Sequence, residues 1–94
     1  MTDRNARPEE LRERLLRFIR DRFIEPDAAR DLTADTPLLA WGILDSLRMV
    51  VLIQHIRSDL GLPLPPPMVT AENLQTVETI VATIMQAAAE DAAR

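Results

Sequence analysis

The placement of proline constrains this chain more than any other feature. Pro8, Pro26, Pro37, Pro63, Pro65, Pro66 and Pro67 fall at the edges of, or between, three stretches whose apolar residues recur at steps of three and four. Proline lacks an N–H and its ring clashes with the turn before it, so a helix tolerates it at the first position and not in the middle. The chain is therefore partitioned by its own covalent chemistry into about three main helices.

The first stretch opens at Arg7-Pro8-Glu9-Glu10, with proline at the first helical position and acids in the first turn. Leu11, Leu15, Phe18, Ile19 and Phe23 then form a core-facing stripe, and Arg12, Glu13, Arg17, Arg20 and Asp21 the wet face. The pattern predicts a helix of about 16 residues, stopped by Glu25-Pro26-Asp27. Residues 26–44 show no sustained period. They mix turn formers (Asp31, Thr33, Asp35, Thr36, Pro37) with Leu32, Leu38, Leu39, Trp41 and Ile43, which predicts a long loop folded back over the core. In that reading Trp41 anchors the loop.

Asp45 is a good N-cap for a second helix over residues 46–60, ended by Gly61, with Leu52, Ile53, Ile56 and Leu60 inward. Met49, Val50 and Val51 widen its apolar arc beyond what one core face needs; either the preceding loop covers them or a partner does. Leu62-Pro63-Leu64-Pro65-Pro66-Pro67 reads as a stiff extended connector with Leu64 plugging the core. Thr70-Ala71-Glu72-Asn73-Leu74 reads as a short third helix. Thr76 then caps a last helix carrying Val77, Ile80, Val81, Ile84 and Ala88, whose Ala-rich end from Ala87 to Arg94 is expected to fray. The fold expected is all-α: a small four-helix bundle of three main helices plus a short one before the last, with a long first loop. Residues 1–94 form one domain with its core over about 9–86.

Composition excludes several functions. A chain of 94 residues buries only about 60% of its unfolded surface, too little to build a deep catalytic cleft with supporting groups behind it. With no Cys and a single His55, neither a thiolate metal site nor an imidazole cluster is available, and Asp27, Asp31 and Asp35 do not have the spacing of a calcium loop. No apolar run approaches a membrane span, and the N-terminus lacks a signal-peptide core, so a soluble, cytoplasmic monomer is the expectation. The formal charge is −4, every base being Arg. Residues 1–30 hold eight Arg against seven acids and residues 31–94 three Arg against eight. So acidic a body is a poor match for nucleic acid and a better one for a partner with a basic docking patch.

The chemistry centres on Ser46. A hydrolase would need His55 as its base, yet nine residues of helix turn the two roughly 900° apart, onto opposite faces and about 13 Å along the axis. A nucleophile and its base must come within about 3 Å. As an acceptor of phosphate, however, Ser46 is well placed. It opens a helix, where unpaired N–H groups and the helix dipole favour an attached anion, and Asp45 beside it suits a partner enzyme's Mg²⁺ and basic groups.

Gly42-Ile43-Leu44-Asp45-Ser46-Leu47, the loop with Asp35-Thr36-Pro37-Leu38 before it, Leu60-Gly61-Leu62-Pro63-Leu64-Pro65 after it and Thr76-Val77 at the last helix resemble the acyl carrier protein superfamily, peptidyl carriers included. The resemblance spans about residues 9–86. It implies that Ser46 receives 4′-phosphopantetheine covalently from coenzyme A, with Asp45 the flanking acid, and that the arm's thiol holds acyl or aminoacyl thioesters. Leu47, Val50, Val51 and Gln54 match positions that partners touch. The implied partners are a phosphopantetheinyl transferase, an adenylating or acyl-loading enzyme and a downstream transferase or modifying enzyme. No catalytic residue is implied.

Departures from the fatty-acid type are informative. Val51 stands where those carriers have a Glu, Arg48 and Arg57 replace typical acids, and Gly42 lies four residues ahead of the serine where many have three. With Glu72-Asn73-Leu74-Gln75-Thr76, this is more similar to D-alanyl carriers and discrete, trans-acting carriers of specialised metabolism, of the non-ribosomal peptide or polyketide kind. An amino acid is then favoured as cargo. The alternatives are a fatty-acid-type carrier and a helical interaction module in which Ser46 is only a cap.

Overall fold

The computed structural model describes residues 7–24 and 32–92. The described residues contain three α-helices and no strand: α1 (Pro8–Phe23), α2 (Ser46–Gln54) and α3 (Val77–Ala92). α2 continues into a π-helical turn over His55–Asp59, and Pro66–Met68 form a 3-10 turn before α3. The expected stop at Glu25-Pro26-Asp27 lies outside the described residues, although α1 itself ends as Ile24 turns extended.

α1 and α3 pack against one another. Leu11, Leu15 and Ile19, spaced by four, meet Val77, Ile80, Val81 and Ile84 in a core shared with Leu52 and Ile56 of the second helix. Full burial of each such side chain contributes about 1.5–3 kcal/mol. Phe18 and Phe23, expected in the same stripe, are only half-buried, because they flank the seam and meet each other edge-on at 5.6 Å. Arg12, expected on the wet face, crosses the seam instead. Its guanidinium donates to both Glu78 carboxylate oxygens at 2.7 and 3.2 Å, which holds Arg12 above its ordinary pKa.

α3 starts as expected. Thr76 Oγ1 accepts the Thr79 N–H at 3.1 Å while Thr79 Oγ1 accepts the Thr76 N–H at 3.0 Å, a reciprocal cap. Its end differs from expectation: the helix runs on to Ala92 and Ala87 is buried. Alanine is the strongest helix former, and the packing of Ala87 carries the helix into the stretch expected to fray, as far as Ala92; residues 93 and 94 lie outside the described residues.

The described part of the expected loop, from Leu32 to Leu44, does fold back over the core. Leu32, Leu38 and Leu44 are buried, and the Leu38 N–H donates to Gln75 O and the Glu78 N–H to Ala34 O, at 2.8 and 3.0 Å. Trp41 overturns its expected role, being 60% exposed. Leu38 and Leu44 take the anchoring positions. The Leu38 carbonyl accepts N–H bonds from Ile43 and Leu44, and this ring ejects the residues between, turning through Gly42 at φ +74°.

Two further expectations are corrected between residues 62 and 74. Leu62 and Leu64 are buried, as a plug should be, but Pro66-Pro67-Met68 are helical. Proline's φ suits a 3-10 turn, and the bonds needed come from Met68 N–H to Pro65 O and Val69 N–H to Pro66 O, neither of which requires a proline donor. Residues 71–74 form a turn closed by Leu74 N–H to Thr70 O at 3.0 Å, so the short helix sits earlier than expected. Arg57 clasps the connector, donating Nε to Leu64 O at 3.0 Å and Nη2 to the same oxygen.

Candidate functional site

Asp45 caps α2: its Oδ1 accepts the Arg48 N–H and its carbonyl the Met49 N–H, both at 2.8 Å. The N–H groups of Ser46 and Leu47, in the first turn, have no intrahelical partner. Ser46 is exposed, and its hydroxyl makes no hydrogen bond among the described residues. The serine thus offers a free oxygen at the positive end of a helix, with a carboxylate beside it. That end fits a phosphodiester, since an anion there is favoured by the helix dipole and by unpaired donors.

Arg48 is the support that sequence reasoning missed. Counted only as a base replacing an acid, it reaches back to the loop and donates Nη1 to Ile43 O at 3.2 Å, with Gly42 O at 3.5 Å. Its guanidinium also lies 5.8 Å from the centre of the Phe23 ring. The loop end preceding Ser46 is therefore tied to the helix it starts. Only the short separation of Arg48 from Gly42 and Ile43, six and five residues, hints at this in the sequence.

Of the residues expected to meet partners, the structure leaves Leu47 74%, Val50 62% and Val51 38% exposed. Met49 and Ile53 instead pack on the core, so the wide apolar arc is split into a buried and an open half. Neither half carries an acid: α2 from Ser46 to Gln54 has none. Gln54 is exposed and donates to Ser58 Oγ at 3.2 Å.

His55 serves the fold. Its ring stacks on Phe18, centroids 3.9 Å apart and planes 10° apart, and its Nδ1 lies 2.9 Å from Asp59 Oδ2. It bonds to Asp59 and not to Ser46, which agrees with the opposed faces expected from their spacing. Its partner Phe18 is 37 residues distant, a pairing with no local signature. Among the described residues no group of His, Asp and Glu is placed to hold a metal ion, and no helix is long and apolar enough to cross a membrane. Asp27 and Asp31 lie outside the described residues.

No curated protein matches this sequence. A protein-family model does: the model described as the phosphopantetheine attachment site matches residues 14–84, from the second turn of α1 to the middle of α3, and so takes in the whole Asp45–Ser46 region and the core that supports it. The chain belongs to that family, whose members carry covalent 4′-phosphopantetheine.

Proposed function

We propose that Ser46 is the residue that receives the phosphopantetheine arm and that the chain works as a carrier of aminoacyl or acyl thioesters. The single observation that supports this most is an exposed hydroxyl, without a hydrogen bond among the described residues, at the N-terminus of α2 beside Asp45, in a chain of this family. Carrier domains of the family are in general not enzymes and work with a phosphopantetheinyl transferase and partner enzymes. Bound there, the arm supplies a terminal thiol that holds the cargo as a thioester. The protein's own part is positional. Asp45 fixes the start of the helix, Arg48 holds the loop end, and the N–H groups of Ser46 and Leu47 would stabilise an attached phosphate. Tethering then raises the cargo's concentration at each partner.

The partners in this reading are a phosphopantetheinyl transferase, an adenylating or acyl-loading enzyme and a downstream transferase or modifying enzyme. They meet Leu47, Val50, Val51 and Gln54. An acid-free outer face on α2 favours the aminoacyl carriers of specialised biosynthesis over the fatty-acid type. The domain is residues 1–94, acting in the cytoplasm as a monomer.

Intact mass after incubation with coenzyme A, Mg²⁺ and a broad-specificity phosphopantetheinyl transferase tests the assignment. Wild type should gain one phosphopantetheinyl unit and Ser46→Ala none. A folded wild-type protein that gains nothing, in a tube where a control carrier is modified, would return Ser46 to the role of a cap and leave α2 as an interaction surface.

A further inference from the structure

The open strip that leads away from Ser46 does not end on α2. Val50 and Val51 line a cleft of about 280 Å³ whose other wall includes Phe18 and Arg22 of α1. Beyond the Phe18–His55 stack lies a second cleft, of about 260 Å³, bordered by Arg14, Arg17, Asp21 and Arg22. Phe18, Arg22 and His55 belong to both, so the two clefts form one surface crossing from α2 to α1.

Its charge runs against that of the whole molecule. The chain carries −4, yet Arg14, Arg17 and Arg22 make no ion pair among the described residues, where Arg12 pairs with Glu78. Asp59, the other acid at these clefts, is engaged by His55. Arg22 lies 5.2 Å from the centre of the Phe18 ring, on the shared rim. At these two clefts three guanidiniums thus stand beside Asp21 and Asp59, next to an apolar strip on α2 without an acid, while Glu9, Glu10 and Glu13 border a separate cleft with Arg14 and Arg17.

We propose that a protein partner docks along this strip and rim, presenting an acidic patch to Arg14, Arg17 and Arg22 next to an apolar patch on Val50 and Val51. The apolar part gains by leaving water, while a basic or neutral surface would have to desolvate the guanidiniums without return. Opposite charge at the rim sets the register of docking and speeds encounter, and a basic partner is repelled. The net charge of the body acts at long range and is screened beyond about 8–10 Å, so it does not govern this contact. The proposal rests on the carrier reading only in taking the strip to begin at a modified Ser46.

The test uses the full chain, isotopically labelled, titrated with two synthetic helical peptides. Both have a leucine face; one has glutamates on the opposite face and the other lysines. The glutamate peptide should shift the amides of Arg14, Arg17, Phe18, Arg22, Val50, Val51 and His55, and bind at least about tenfold tighter than the lysine peptide. Arg14→Glu/Arg17→Glu should reverse that preference. Both residues are exposed and make no ion pair among the described residues, so circular dichroism should still show the fold, with melting lowered only slightly by the new like charges four residues from Glu10, Glu13 and Asp21; Arg22 is left intact because it contacts Phe18. Equal affinity for the two peptides, shifts lying elsewhere, or shifts on these residues that follow protein concentration without peptide, as with a second copy, would each overturn the proposal. Mass gain on the same wild-type sample separates the two ideas. Arm uptake without peptide discrimination sinks only this inference, and discrimination without uptake sinks only the carrier reading.

Discussion

The seam between α1 and α3 and the outer face of α2 are built from the same residue types and treated in opposite ways. At the seam, Leu11, Leu15, Val77 and Ile80 are wholly buried and even the charged pair Arg12–Glu78 is satisfied in two directions. On the outer face, Leu47 and Val50 are left in water and the hydroxyl of Ser46 makes no hydrogen bond among the described residues. A small domain has few apolar side chains to spare, so leaving them exposed costs stability that could have been gained. The contrast separates stability from function: one region holds the molecule together, and the other is kept open for contact.

That contrast can be tested by substitution on either side. The largest effect expected is on Ser46→Ala, which should abolish arm attachment, read by intact mass, while leaving the urea midpoint where it was. Ile80→Ala should do the reverse. Loss of a fully buried side chain costs about 2–5 kcal/mol, read by urea unfolding, yet the fraction still folded should accept the arm at Ser46. Asp45→Ala blurs the boundary, because the residue serves both regions. It should cost about 0.5–2 kcal/mol as a lost cap and also slow the transferase, and a variant that slowed neither would break the assignment of a double role. The smallest effect belongs to Arg12→Ala. The pair is partly exposed, so its melting shift should be less than that of either stability variant and should shrink with added salt.

What could be read from the residues follows the same division. α1, α2 and α3 were legible because helical burial leaves a period of three to four, and Asp45 and Thr76 because caps are local chemistry. The position of the short helical turn was not, since prolines that forbid α-helix interior still permit the first residues of a 3-10 turn, as at Pro66 and Pro67. Trp41 was misplaced for a different reason. In an aperiodic loop, size and hydrophobicity say nothing about which side chains are ejected; the carbonyl of Leu38 closing on Ile43 and Leu44 decides it. At the site, Ser46 and Asp45 stood out by type and order. The loop clasp by Arg48, the Phe18–His55 stack and the basic rim did not, because each depends on how separate segments are brought side by side.

Trp41 has a practical consequence as an optical reporter. It is the lone tryptophan of a chain without tyrosine, it stands five residues ahead of Ser46, and it is already 60% exposed in the native fold. Its emission should therefore sit at long wavelength before any denaturant is added and move little on unfolding. Contact that removes the indole from water should move it to shorter wavelength. The protein thus carries a fluorophore nearly blind to its own melting and open to whatever closes over the loop, so a titration followed at this one residue would register binding without a label.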